Sequence, residues 1–237
     1  MKLFKYKDFL NESNQDIDSI CKKWGIKNYT INGDGSIDVD GNVILSYKKL
    51  TKLPLKFRNV SGDFNCSDNQ LTSLEGGPQS VSGNFYCSYN QLTSLEGCPQ
   101  SVSGDFSCSR NQLTSLEGCP KSVGGIFNCD HNQLTSLEGG PKSVGGYFDC
   151  FNNQLKDVYG IKEGFRLGGR FNIGNNPVYQ IFKLFPEDRY NEVIEFLNEY
   201  NVIRDGNKVI LQALEMVYDE LGIEVPEEIE IKGYEVI

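Results

Sequence analysis

Alanine is almost missing from this chain: Ala213 is the one copy in 237 residues. Alanine is the best helix former, so its scarcity argues against a mainly helical protein. Histidine is equally scarce, with His131 alone. A single histidine cannot supply a His-Glu-x-x-His zinc site, and no serine or cysteine hydrolase motif accompanies it. Cys-x-x-Cys and Gly-x-x-x-x-Gly-Lys-Ser/Thr are also absent, so neither a redox dithiol nor a phosphate-binding loop is expected. Long apolar runs are missing too. Gly, Asn, Lys or Glu breaks every apolar stretch before it reaches the ~20 residues of a membrane span. The first ten residues interleave charges with apolar side chains, which does not make a signal peptide. The expectation is a soluble cytoplasmic protein without cofactor or metal. Positive charge is in deficit, 23 Lys and Arg against 32 Asp and Glu, a net charge of −9. Binding to nucleic acid or to an anionic membrane is therefore unfavourable. Asp34, Ser36, Asp38 and Asp40 imitate the spacing of a calcium loop, but the glycine and glutamate such a loop needs are not in place. They read as hairpin residues.

What is abundant is periodic. Asn-Gln-Leu-Thr-Ser-Leu-Glu-Gly begins at Asn69, Asn90, Asn111 and Asn132, with a shortened copy at Asn153. Cys66, Cys87, Cys108, Cys129 and Cys150 keep the same 21-residue step. A weaker copy opens at Val43, and another, with a two-residue insertion, closes at Val178. The array thus has about seven coils with degenerate ends, as capping repeats have. Within a coil, Phe106 and Cys108 lie two apart and share one face of a strand. Asp105, Ser107 and Ser109 are then expected on the other face. Stacking at ~4.8 Å per coil predicts a parallel sheet about 30 Å long, lined inside by Phe, Cys, Leu and Val. Asn69, Asn90, Asn111, Asn132, Asn153 and Asn176 sit where the chain leaves the strand. A buried amide there can satisfy backbone groups of its own and the adjacent coil.

The unit Phe-x-Cys-x-x-Asn-x-Leu-Thr-x-Leu-Glu-Gly-x-Pro-x-x-Val-x-Gly resembles a leucine-rich repeat, with Phe106, Cys108, Asn111 and Leu113 in its defining slots. The short length and the proline after the second leucine are most similar to the bacterial form. The resemblance spans residues 43–178 and implies a solenoid whose strand face binds another protein. The opening Lys5 to Ser13, the near-identical repeats and the exit Asn175-Asn176-Pro177-Val178-Tyr179 are similar to leucine-rich repeat proteins of bacterial viruses. In that setting the implied partner is a host protein.

The fold class expected is a repeat solenoid, predominantly β, with mixed α/β caps. Its parts are an N-terminal cap over residues 1–42, the solenoid over 43–178 and a C-terminal module over 179–237. The cap should hold a helix from Ile17 to Trp24 and a hairpin turning at Asn32-Gly33-Asp34-Gly35. The module should hold helices from Val178 to Phe185, Glu187 to Tyr200 and Leu211 to Leu221, and a strand within Glu228 to Ile237. In-register cysteines read as small buried hydrophobes, not disulfides. Cys98 and Cys119, one repeat apart in a Glu-Gly-Cys-Pro corner, read as free thiols at a tolerant surface corner.

Scaffold slots barely vary between copies, whereas the strand-face slots do. There the chain places Tyr86, Tyr89, Arg110, Asp130, His131, Tyr147, Asp149 and Phe151, and tyrosine and arginine are enriched in interface hot spots. These residues are the candidate partner-binding strip of a noncatalytic scaffold. The alternative is a structural protein that makes homotypic contacts through a sheet edge or the C-terminal module.

Overall fold

The computed structural model describes residues 16–161 and 165–237. Lys5 to Ser13 lie outside them. The chain forms a parallel-sheet β-solenoid with a few helices. From Phe64 to Asn172 each coil contributes two strands of only two residues, such as Ser101–Val102 and Phe106–Ser107. The Phe-bearing strands form one seven-stranded sheet from Val43–Ile44 to Phe171–Asn172, so six turns separate its first and last strands. Every step is parallel and pairs each residue with its equivalent 21 positions later, as Phe85 with Phe106. The last step, Phe148 to Phe171, is longer and absorbs the two-residue insertion.

The Ser-Val strands belong to a second sheet, parallel except for the antiparallel hairpin at its start, that the single-strand reading of the repeat did not anticipate. It has eight strands, and its first two are the hairpin Tyr29–Ile31 and Ile37–Val39. Ile37–Val39 pairs directly with Phe57–Val60. The hairpin of the N-terminal cap is therefore hydrogen-bonded directly into the solenoid. Residues 16–24 form the expected helix, with Ile17 and Cys21 buried.

Inside, the phenylalanines stack. Successive ring centroids from Phe64 to Phe127 lie 5.2 to 5.6 Å apart and nearly parallel. From Phe127 to Phe148 the packing switches to edge-on. Each fully buried phenylalanine removes apolar area worth about 2–3 kcal/mol from water. The coil must then turn sharply twice. At Gly97 φ is +93°, and a Cβ would lie 2.4 Å from the Leu74 carbonyl oxygen of the preceding coil. Gly83 has an ordinary φ, but a Cβ there would sit 2.3 Å from Asp63 Oδ1. One corner needs the left-handed conformation, the other needs the space.

The asparagine ladder does what its position suggested. Asn111 Nδ2 donates to the carbonyls of Cys87, Cys108 and Ser109 at 3.0 to 3.2 Å, and its Oδ1 accepts from Leu92 N at 3.0 Å. Two coils are thereby tied by one side chain. All eight cysteines are free and buried. Cys98 and Cys119 correct the surface-corner reading, since they are only 7% and 6% exposed. The corner folds inward there because the following proline, Pro99 or Pro120, is buried with it.

The C-terminal module contains helices at Tyr179–Phe182, Tyr190–Glu199 and Leu211–Leu221, with a single 3-10 turn at Glu187–Arg189. Gly222 ends the last helix with φ +65°. Of the strand expected within Glu228 to Ile237, only Glu235–Val236 forms, paired with Lys208–Val209. The module shares the solenoid core through Phe182, whose ring is 6.0 Å from Phe171 and 5.0 Å from Tyr190. Asn191 Nδ2 donates to Gly169 O at 2.9 Å, and Tyr234 Oη to Lys156 O at 2.6 Å.

Candidate interaction surface

The outer side of the Phe sheet carries four parallel rows of side chains, and each row has its own backbone chemistry. The row before phenylalanine starts as a ladder of Asx side chains. Asn42, Asp63, Asn84 and Asp105 each accept, through Oδ1, the backbone N–H of the equivalent residue one coil on, at 2.7 to 2.8 Å. These carboxylates and amides are committed to the scaffold. The row then changes to Ile126, Tyr147 and Arg170, none of which can accept such a bond.

The row between Phe and Cys holds Asn65, Tyr86, Ser107, Asn128, Asp149 and Asn172. Four of these accept the N–H two residues on; Asn128 Oδ1 takes that of Asp130 and Asp149 Oδ1 that of Phe151, both at 2.9 Å. Tyr86 is half-buried. The row after cysteine corrects another expectation, because Ser67, Ser88 and Ser109 are buried, not solvated. The strand is only two residues long, so the alternation of faces ends before Ser109. In the next two coils this row becomes Asp130 and Phe151, both partly buried.

The fourth row lies just before the asparagine ladder: Tyr47, Asp68, Tyr89, Arg110, His131, Asn152 and Asn175. All seven are in the left-handed region, with φ between 52° and 57°. Asn, Asp and, to a lesser degree, His tolerate that conformation; tyrosine and arginine adopt it at a cost. Tyr89 is 51% exposed, and Arg110 sets its guanidinium 5.2 Å from the Tyr89 ring. His131 Nδ1 lies 2.7 Å from Asp130 Oδ2, and the His131 ring is 5.7 Å from that of Phe151. Asp130 Oδ1 is buried and meets no donor among the described residues.

Apart from Tyr86, which stays half-buried in its own row, the predicted residues fall into two neighbouring groups. Tyr89, Arg110 and His131 stand on the left-handed row, with Asp130 and Phe151 against His131. Tyr147 and Asp149 instead line a cleft of about 750 Å³ between the last two coils and the C-terminal module. Its other polar lining includes Arg170, Glu187, Asp188 and Asn191. Tyr147, 54% exposed, lies over Gly169, where a Cβ would be 2.5 Å from its ring. Burial pushes the Asp149 carboxyl above the ordinary aspartate value, opposed by the N–H of Phe151 and the amide of Asn172, which stabilise the charged form. The module residues carried no sequence signal of a site, whereas the loss of the Asx slot at Tyr147 and Arg170 did.

Among the described residues, no group of three or more His, Cys, Asp or Glu side chains is arranged to hold a metal ion. Nor is any described helix long and apolar enough to cross a membrane. No family model matches the chain, and neither a curated protein nor a solved structure is significantly similar to it.

Proposed function

We propose that this protein is a noncatalytic scaffold that binds another protein through the outer face of its Phe sheet, centred on Tyr89, Arg110, His131 and the neighbouring Tyr147 end of the cleft. The supporting observation is where the scaffold rules lapse. Both the Asx ladder and the buried serine row stop after the coil of Asp105 and Ser109, and the replacements are Ile126, Asp130, Tyr147 and Phe151. The left-handed row places four bulky side chains, Tyr47, Tyr89, Arg110 and His131, where Asp68, Asn152 and Asn175 show that smaller residues fit. Local stability does not select such residues, but binding does. A rigid stacked face also loses little conformational entropy on binding. On this reading the chain is a leucine-rich-repeat-like scaffold of a bacterial virus, and its partner is a host protein.

The repeat supplies its own controls. Tyr89→Asn, Arg110→Asn and His131→Asn each install a residue that the same slot already holds elsewhere. The triple variant should fold and lose recovery of its partner in a pull-down from host extract. Undiminished recovery would move the binding face elsewhere.

A homotypic reading rests on one different observation. Val43–Ile44 is the edge strand of the Phe sheet, and Ile44 is 48% exposed on it. Exposed sheet edges can pair with another copy. Light scattering that shows mass rising with concentration, and Ile44→Lys abolishing the rise, would favour this assembly role.

A further inference from the structure

We infer that the cleft between the last two coils and the C-terminal module is a receptor for one basic side chain, arginine or lysine, presented by the protein partner. The inference rests on the protein-binding reading and specifies its chemistry. At about 750 Å³ the cleft falls within the size range of sites that enclose a ligand. Open to solvent on one side, it has room for a guanidinium or ammonium head and part of its stem.

Three features select a cation. First, the lining is unbalanced: Asp149, Glu187 and Asp188 face a single cationic side chain, Arg170. None of the three carboxylates has an ion-pair partner within 4.0 Å among the described residues. They also come from both walls, Asp149 from the sheet and the other two from the 3-10 turn at Glu187–Arg189. Second, Tyr147 supplies an exposed ring held over Gly169, and aromatic faces attract cations. Tyr179 is already engaged by Lys183, 5.9 Å from its ring centre, which leaves Tyr147 as the open surface. Third, Asp149 is partly desolvated and accepts only neutral donors, Phe151 N and Asn172 Nδ2. A bound cation would relieve the cost of holding that charge. The net charge of −9 adds long-range attraction for a basic partner. A neutral saccharide could use the tyrosines, but it would leave the carboxylates without counter-charge.

The test is an NMR titration of the full chain with acetyl-Gly-Arg-Gly-amide, its lysine counterpart and its citrulline counterpart, which keeps the shape of arginine without the charge. Saturable shifts are expected at the backbone amides of Tyr147, Asp149, Arg170 and Asn191 with the arginine or lysine peptide. Citrulline should bind at least ~10-fold more weakly, the worth of one charge-assisted contact. Asp149→Asn and Tyr147→Asn should each abolish the response. Both are expected to fold, since Asn128 and Asn172 occupy the first slot and Asn84 the second, and circular dichroism checks this. Equal binding of citrulline, an Asp149→Asn variant that responds like the parent, or a saturable response to cellohexaose in place of the basic peptides would overturn the assignment. So would the absence of any saturable shift up to ~20 mM peptide. The Tyr89, Arg110 and His131 triple variant should retain peptide binding. Partner capture without a peptide response therefore overturns the cleft assignment alone, whereas a peptide response with partner recovery indifferent to both faces overturns the scaffold reading.

Discussion

Arg110 rests its guanidinium 5.2 Å from the ring of Tyr89, one coil earlier, and both residues hold a left-handed backbone conformation. The contact spans neighbouring coils at the very slot where the backbone least favours either residue. A cation–π pair at an exposed site contributes roughly 0.5–1 kcal/mol. Two left-handed non-glycine residues cost more than that together, about 1–2 kcal/mol for each. The pair is therefore a net local burden that the scaffold carries.

Replacing both residues with asparagine should consequently stabilise the fold. Tyr89→Asn with Arg110→Asn is expected to gain about 1 kcal/mol, or a Tm rise of roughly 2–4 °C for a chain of this size. Differential scanning calorimetry measures it. A stability gain coupled to lost partner binding marks a functional surface, whereas a stability loss would mean that the contact outweighs the strain.

The asparagine ladder should behave in the opposite way. Asn111→Ala removes one side chain that satisfies three carbonyls and one N–H in two coils. Buried backbone groups left without partners cost about 1–3 kcal/mol each, and water can replace some of the bonds. Urea unfolding is expected to show a loss of at least ~3 kcal/mol. Asn111→Asp should fail similarly, because a carboxylate cannot donate to the Cys87, Cys108 and Ser109 carbonyls.

Thiol chemistry provides a test of the core. Burial pushes Cys66, Cys87, Cys108, Cys129 and Cys150 well above the ordinary thiol value, and Cys119 up to about 12. The reactive thiolate is therefore scarce as well as inaccessible. Native protein at pH 8 should be nearly inert to a chromogenic disulfide reagent, and all eight cysteines should react in guanidinium chloride. Rapid native reaction at Cys98 or Cys119 would show that their corner opens.

Asp149 predicts a pH dependence of definite sign. Its native pKa is raised chiefly by desolvation, so the fold favours the protonated carboxyl. That advantage is full below the unfolded value, taken as 3.8, and disappears as pH rises through the raised native value. Asp149→Asn removes the burden of the buried charge. The variant should melt higher than the parent at pH 7, with the gap closing as pH falls toward 3.8. A gap that widened in acid would reverse the assigned direction.

Much of the solenoid was legible because translation along its axis puts each residue against its own equivalent. Phe106 meets Phe85 and Phe127, and Asn111 reaches back to Cys87, so a 21-residue period in the letters is also a list of contacts. The rows of the outer face were harder to read. Ser109 looked solvent-facing because a strand was extended past its two real residues. Asp105 looked like a variable surface residue, although its carboxylate is a rung bonded to Ile126 N. A short polar side chain gives the same sequence signal whether it meets water or a neighbouring amide.

By itself, the sequence determined the period and the stacked core with its cysteine ladder. Tertiary structure alone decided that the Ser-Val segments form a second sheet, that one row of side chains is held left-handed, and that a cleft exists at all. The physical reason is the range of the contacts. Repeat packing is periodic and recurs at fixed offsets, whereas the cleft arises where Asn191 meets Gly169, 22 residues away, and the same module is tied to the solenoid where Tyr234 meets Lys156, 78 residues away. Those contacts occur once each, between aperiodic segments, and only the docking of the module onto the final coil brings their residues together.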